Sequence, residues 1–338
     1  MNGRIDNEIL NEILMQVNKP ARYCGGEYGS ETMSGGEVKF ALAFPDIYEV
    51  GMSHLGMKIL YSLLNKLDYV DCERCFAPMQ DMAAQLRAHN LKLYSLETFT
   101  PLNKFDFVGF SLQYEMCLTT VLYMLELSGI PLTSKERTEE DPLVMAGGCV
   151  CLNPEPFCDI FDLMVLGEAE EVLPYLTDLY RNCESREDFL TKAAKVDGVY
   201  VPKFYEVEYN GAQITRKALN GAQEKINRLL IKDMDSSYYP ENFIVPFVEP
   251  VHDRVAVEVM RGCPRGCRFC QAGMIYRPVR QKKLKTVVAQ SEKLLANTGY
   301  EQITFTSLSS TDYKGCKDAI TEIYEKHGDE KVTVSLPS

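Results

Sequence analysis

Three cysteines within eight residues, Cys263-Pro-Arg-Gly-Cys267-Arg-Phe-Cys270, concentrate more capacity for chemistry than any other stretch of this sequence. Thiolates are soft ligands that favour iron–sulfur clusters, zinc or copper. A cluster bound by four cysteines is closed, whereas three thiols leave one iron of a [4Fe-4S] cubane open, and an open position is what chemistry needs. A structural zinc site would need a fourth ligand, for which Cys316 and His252 are nearest in sequence. Zinc ligands usually come as two spaced doublets, and this spacing differs. Three unliganded cysteines is the weakest reading, because the Arg, Gly and Pro residues around them build no core. The order of preference is cluster, then zinc, then no metal.

The triad must be held by something, and the flanking pattern supplies it. Arg254–Met260 reads as an apolar strand leading into the cysteine loop. Helix Lys285–Ala296, strand Gln302–Ser307, helix Tyr313–Lys326 and strand Lys331–Leu336 follow. A β/α barrel uses about 30 residues per strand–helix unit, so residues 252–338 hold about three strands, too few to close one. On this count the chain reads as part of a longer protein. Upstream, Val38–Phe44, Phe105–Leu112, Leu143–Ala146 and Leu163–Leu166 read as strands. Ser53–Leu67, Met79–His89, Tyr114–Leu127 and Glu170–Tyr180 read as helices between or after them. That alternation predicts an α/β fold, with an open parallel sheet covered on both faces ahead of a partial β/α barrel. Ligands of such sheets bind at the carboxyl ends of the strands, which here carry Pro45-Asp46, Ser111-Leu112, Gly147-Gly148 and Gly167-Glu168. The expected division is a lead-in at 1–37, the sheet domain at 38–185, a hairpin and linker at 186–251, and the cysteine-bearing domain at 252–338. Asn210-Gly211 marks the hairpin turn.

Composition narrows the classes. The 338 residues are 46% hydrophobic and 25% charged, which is globular. No apolar run approaches bilayer length, and the opening residues lack a signal-peptide pattern, so the expected location is the cytoplasm and no membrane partner is expected. The 12 cysteines are then mostly reduced thiols. Cys72-x-x-Cys75 has no second doublet to face it and reads as structural, and Cys149 and Cys151 read as packing. The net charge of −12 opposes non-specific binding to nucleic acid. Yet Arg261 to Lys285 holds eight Lys or Arg and no acid. That stretch, including Arg277, Arg280, Lys282, Lys283 and Lys285, reads equally as a grip on an anion or as a solvated helix start.

The three-then-two cysteine spacing, with Phe269 before the last cysteine and its place after the first strand of a β/α array, resembles the radical S-adenosylmethionine (SAM) superfamily. The resemblance implies that Cys263, Cys267 and Cys270 bind a [4Fe-4S] cluster whose open iron chelates SAM. One electron from a flavodoxin or ferredoxin would cleave SAM to methionine and a 5′-deoxyadenosyl radical. It also implies that Phe269 lies against the adenine. Leu308-Ser309-Ser310-Thr311-Asp312 falls where that family holds the SAM amino group, without the usual glycines.

Residues 38–182 look like the cobalamin-binding domain often fused ahead of such barrels, on the ordered strand ends Ser111-Leu112, Gly147-Gly148 and Gly167-Glu168. Lys19–Glu27 and Pro45–Gly56 together resemble a radical SAM family with this domain. The Asp-x-His-x-x-Gly motif of cobalt-ligating domains is absent, since Met52 precedes His54 by two residues. The resemblance therefore implies cobalamin without histidine ligation, and His54, a lone histidine at a helix start, reads as a capping or surface residue. The expected function is a radical SAM enzyme that alkylates or rearranges an unactivated carbon of an unknown substrate. The alternatives are a radical SAM enzyme that modifies RNA and a non-catalytic iron–sulfur or cobalamin module.

Overall fold

The computed structural model describes residues 4–32 and 35–336, so parts of the expected 1–37 lead-in and the last two residues of the expected 252–338 domain lie outside the described residues. The chain forms two compact units. The first runs to Leu230 except for Glu27–Gly29, which belong with Ile231 onward in the second.

In chain order the first unit contains α1 (Asn7–Leu14), β1 (Val38–Phe44), α2 (Tyr48–Ser53), α3 (Leu55–Asn65), β2 (Val70–Phe76) and α4 (Gln80–Ala88). Then follow β3 (Phe107–Ser111), α5 (Leu118–Ser128), β4 (Leu143–Gly147), β5 (Leu163–Val165), α6 (Val172–Arg181), α7 (Arg186–Ala193) and β6 (Val199–Tyr200). A hairpin of β7 (Tyr205–Asn210) and β8 (Gln213–Ala218) completes the unit's elements. The sheet order is β2-β1-β3-β4-β5-β6, parallel except for antiparallel β6. Strand order reverses between β1 and β3, so the crevice outside their carboxyl ends is the place where a doubly wound sheet takes a ligand. β1 buries every residue but Lys39, as a strand with helices on both faces should. Phe40 stacks on Phe107 at 5.6 Å, and Phe107 meets Phe189 edge-on at 5.6 Å.

Hydrophobic pattern alone misses β2. Its sequence, Val-Asp-Cys-Glu-Arg-Cys-Phe, is half polar, yet all seven residues are buried. Each charge carries its own partners. Asp71 accepts the Gly35 and Gly36 N–H groups at 3.1 Å; Glu73 accepts the Ser95 and Thr98 hydroxyls at 2.5 and 2.7 Å; Arg74 meets Glu97 at 2.6 Å. Burial raises the Glu97 carboxyl above its usual range despite Arg74 beside it. Such pairs are costly to break from one side. Cys72 and Cys75, three apart on a strand, point to opposite faces and cannot form a redox pair. Burial pushes both thiols up.

The sheet continues beyond residue 185. Ser185 caps α7 by accepting the Asp188 N–H at 3.1 Å, and β6 pairs with β5. A short helix and a two-residue strand leave no period to read. The hairpin forms where expected, turning at Gly211 with φ +61°. After it the chain returns so that Leu229 pairs with Gly167: the Leu229 N–H donates to the Leu166 carbonyl at 2.8 Å, and the Glu168 N–H to the Leu229 carbonyl at 3.2 Å.

The second unit holds β9 (Val255–Glu258), β10 (Met260–Arg261), α8 (Ala272–Ile275), β11 (Arg280–Gln281), α9 (Leu284–Thr298), β12 (Gln302–Thr306), α10 (Cys316–His327) and β13 (Thr333–Ser335). β9, β12 and β13 form a parallel sheet in sequence order, with a helix at each crossover, the arrangement with which a β/α barrel begins. The segment expected to be a linker, 233–251, packs into this unit: Met234, Tyr239, Phe243 and Ile244 are buried, and the Tyr239 hydroxyl donates to the Ala256 carbonyl at 2.7 Å. The structural division therefore falls at 230/231 rather than 251/252. No described helix is long and apolar enough to cross a membrane.

Gly167 sits at φ +113°, and a Cβ there would fall on the Leu229 carbonyl oxygen, with the Leu229 nitrogen 2.7 Å away. Gly167→Ala should therefore destabilise the first unit by about 2 kcal/mol or more. Urea unfolding checks this, and an unchanged midpoint would mean that the Leu229 segment yields without cost.

Candidate functional sites at the strand ends

The cysteine loop is closed at its base by an antiparallel clamp, Met260 opposite Gln281 and Arg261 opposite Arg280. Gly262 makes the clamp fit. Its φ is +84°, and a Cβ there would lie 2.7 Å from the Tyr276 carbonyl oxygen and 2.8 Å from that of Pro278. Inside the clamp, Cys263 and Cys270 are partly buried and Cys267 is exposed, all as free thiols. The Gly273 N–H points at the Cys270 sulfur at 3.4 Å, the contact that favours a thiolate or a metal-bound sulfur. Among the described residues, no three of His, Cys, Asp and Glu converge on one metal position. Soft thiols on one pinned loop are nonetheless a donor set that suits an iron–sulfur cluster, and ligand loops commonly close only on the metal. Phe269 is 92% exposed, an aromatic face with no protein partner over most of its surface.

Beside this loop lies the turn after β12. Arg265 donates twice to Asp312, both contacts at 2.6 Å, and Ser309 donates to the same carboxylate at 2.7 Å. The Ser309 hydroxyl and the Arg265 guanidinium hold the Asp312 carboxyl below its usual range. Gln281 ties the turn to the clamp, donating to the Asp312 carbonyl at 3.4 Å and accepting the Lys314 N–H at 3.2 Å. Sequence reading named Ser309, Ser310 and Asp312 together, and the structure separates them. Ser309 and Asp312 reach the surface beside the cysteine loop; Ser310 is buried and donates to the Phe305 carbonyl at 2.8 Å. Arg265, which sequence reading did not single out, joins them.

The basic stretch is largely engaged within the unit. Arg261 pairs with Glu258 at 2.9 Å, Arg265 with Asp312 and Lys283 with Asp235 at 3.4 Å. Arg280 donates to the Ile231 carbonyl at 2.5 Å. Lys282 is buried, 3.8 Å above the Tyr239 ring, and donates to Gln290 at 2.8 Å.

In the first unit, Ser111 lies opposite Gly147 where β3 and β4 end. A Cβ on Gly147 would meet nothing within 4 Å, so no contact of the chain itself calls for glycine there. Gly148 is different: at φ +107° it lies against the Leu112 carbonyl, and Leu112 is fully buried. Gly167 and Glu168 face the returning Leu229 segment, which covers that strand end. The strand ends that this segment leaves uncovered are those of β1, β3 and β4. Gln113 donates to the Ser111 hydroxyl at 3.0 Å and hydrogen-bonds His54. His54 caps α3 by accepting the Met57 N–H on Nδ1 at 3.2 Å, which makes Nε2 its protonated nitrogen. Tyr114 and Asp46 complete the rim at 3.5 Å. The two amino-terminal motifs also meet: Arg22 donates to Glu49 at 2.8 and 2.9 Å, and Lys19 reaches it at 3.2 Å. Their role is to fasten the lead-in onto α2.

A doubly wound sheet with a switch point between β1 and β3, together with a β/α unit bearing a clamped three-cysteine loop, defines a two-unit α/β protein with candidate sites at its strand ends. Two family models match it: "Radical SAM proteins, N-terminal" over residues 56–202 and "Radical SAM superfamily" over residues 257–338. The chain carries both domains of radical SAM proteins. It is 25% identical over 281 residues to "Uncharacterized protein MJ0966" of Methanocaldococcus jannaschii, an alignment covering 81% of this chain and 50% of that protein. Its fold is similar to that of the radical SAM methyltransferase TsrM from Kitasatospora setae, solved with tryptophan substrate and the SAM analogue aza-SAM bound. That match has a TM-score of 0.51 at 13% identity, covering 88% of this chain and 54% of TsrM. A second TsrM structure, with cobalamin and a [4Fe-4S] cluster bound, gives a TM-score of 0.49 at 12% identity, covering 89% and 54%. The chain thus spans about half the length of the proteins it matches.

Burial lowers the His54 imidazole to about 4, against the opposing hydrogen bond to Gln113. The unfolded chain takes up this proton near pH 6.5 and the folded chain only near pH 4. Between those values the unfolded state binds more protons, so stability falls as pH drops from about 6.5 to about 4 and levels off below. His54→Asn, which retains a capping side chain, should remove up to one proton's worth of that slope. Urea midpoints measured across this range test it, and parallel profiles for the two proteins would contradict the assignment.

Proposed function

We propose that this chain cleaves SAM reductively at a [4Fe-4S] cluster held by Cys263, Cys267 and Cys270, and that its first unit holds cobalamin without a histidine ligand. The observation that carries the proposal is the set of three free thiols on a loop clamped at Met260–Gln281, beside a surface carboxylate-guanidinium pair. The cluster, when bound, supplies the electron for cleavage of SAM. The chain's own residues do the rest. Asp312 offers its carboxylate, kept ionised by Ser309 and Arg265, to the amino group of SAM. Arg265 offers the opposite charge to the carboxylate of SAM, and Phe269 offers a ring face to the adenine. A flavodoxin or ferredoxin is the proposed electron donor.

Cobalamin is proposed from the shape of the first unit. Its strand order matches the doubly wound class that binds cofactors at the β1/β3 switch point. Ser111 and the uncovered Gly147 let a bulky group approach the backbone there. TsrM, whose fold this chain resembles, is a protein solved with cobalamin. His54 has Nδ1 engaged by the Met57 N–H and Gln113 beside its ring, which opposes ligation to cobalt. The proposed reaction class is alkylation or rearrangement of an unactivated carbon. RNA modification is disfavoured because the basic stretch answers its own acids and carbonyls. A purely electron-carrying module is disfavoured by the three-thiol donor set.

Anaerobic reconstitution should load one [4Fe-4S] cluster per chain. Alanine at Cys263, Cys267 or Cys270 should abolish it, and Cys316→Ala should not. Iron and sulfide analysis checks this, and a chain holding one zinc without sulfide would refute it. Asp312→Ala should leave the iron content unchanged but weaken SAM binding about tenfold or more, the worth of a charge-assisted hydrogen bond. Equal SAM affinity by calorimetry would remove Asp312 from the site. Hydroxocobalamin should bind the full chain with the same cobalt spectrum in His54→Asn as in the parent; a histidine-ligated spectrum lost in the variant would overturn the ligation claim.

A further inference from the structure

The turn after β12 is joined to the clamped cysteine loop by two connections that differ in kind. One is the Arg265–Asp312 pair. Arg265 commits Nε and Nη2 to the two carboxylate oxygens, both at 2.6 Å, and its side chain is 61% exposed. The other is the Gln281 side chain, which leaves the clamp opposite Met260. Its amide nitrogen donates to the Asp312 carbonyl at 3.4 Å, and its oxygen accepts the Lys314 N–H at 3.2 Å. One side-chain amide thus engages the backbone on both sides of Tyr313. The Tyr313 side chain is itself buried, so the turn is fixed at this residue from the clamp and from the core.

We propose that Gln281 is a positioning residue for SAM: it keeps the Asp312 turn in register with the cysteine loop while the Arg265–Asp312 pair opens to take the amino acid end of SAM. The inference rests on the SAM site proposed above, in which Asp312 takes the amino group and Arg265 the carboxylate. With no zwitterion between them, those two side chains answer each other. An amino acid zwitterion brings the same two charges in the opposite order, so it exchanges with the pair, carboxylate to guanidinium and ammonium to carboxylate. A solvent-exposed ion pair contributes little and opens readily. Once it opens it no longer ties the turn to the loop, and Gln281 remains to do so. Gln281 acts through the backbone of residues 312 and 314 and need not touch SAM. Without it, the turn loosens as the pair opens, and SAM binding carries the entropy of ordering it again.

The test uses Gln281→Met, which keeps the length of the side chain, removes both hydrogen bonds and leaves the backbone pairing of the clamp in place. The full chain is reconstituted anaerobically with iron and sulfide, and SAM binding is measured by calorimetry. Iron content and thermal melting should match the parent, while hydrogen exchange at the Lys314 amide should quicken. The Kd for SAM should rise about tenfold, the worth of the hydrogen bonds removed. In an Asp312→Ala background, Gln281→Met should weaken SAM no further, because the group it positions is gone. Unchanged exchange at Lys314, parent-like SAM affinity in Gln281→Met, or losses that simply add in the double variant would each overturn the proposal. If Asp312→Ala alone leaves SAM affinity unchanged, the SAM site itself is misplaced and this inference falls with it. That result is distinct from Asp312→Ala weakening SAM while Gln281→Met does not, which overturns the role of Gln281 alone.

Discussion

The pairing of Met260–Arg261 with Arg280–Gln281 is the constraint on which the rest of the second unit's site depends. It converts an irregular excursion into a loop with a fixed base, so that three thiols separated by three and two residues need only local rearrangement to meet a metal. The clamp works because Gly262 adopts a left-handed conformation against two carbonyls that any side chain would strike. Gln281 then extends it sideways to the turn after β12, carrying Asp312 to Arg265. Electrostatics follow from that placement. An acid with a serine and an arginine on it stays ionised, and Arg261 and Lys283 of the basic stretch pair with Glu258 and Asp235 of the same unit.

The same economy of glycine operates in the first unit and separates two meanings of the residue. Gly148 and Gly167 are required by the chain itself, one by the Leu112 carbonyl and the other by the Leu229 segment. Gly147 answers to no contact within the chain, and it stands opposite Ser111 at the end of the neighbouring strand. A position left small without an internal reason, in the crevice where a doubly wound sheet receives ligands, is where an incoming group can approach the backbone. Gly-Gly in sequence thus conceals one structural glycine and one open one.

Much of this was legible from residue pattern, where pattern and physics coincide. Long apolar strands such as Val38–Phe44 and Phe107–Ser111 declare themselves, as does the Asn-Gly hairpin. β2 did not, because its burial depends on partners far away in sequence, among them Glu97 for Arg74 and Ser95 with Thr98 for Glu73. The 233–251 segment looked like a linker for the opposite reason: its prolines and tyrosines show no period, yet Tyr239 and Phe243 are buried. At the site, cysteine spacing was visible in one dimension. The contribution of Arg265 was not, since its partner lies 47 residues away and only the clamp brings them together. Ser310 was named with its neighbours, but its hydroxyl turns inward to the Phe305 carbonyl.

The central claim is that the clamped loop holds a cluster with one iron open to SAM, and electron paramagnetic resonance of the reconstituted, dithionite-reduced chain tests it most directly. The account predicts the signal of a reduced [4Fe-4S] cluster whose g-values shift when SAM is added, with a smaller shift or a higher SAM requirement in Asp312→Ala. A cluster signal indifferent to saturating SAM would mean that all four irons are already closed by ligands, and the account of the second unit would be wrong.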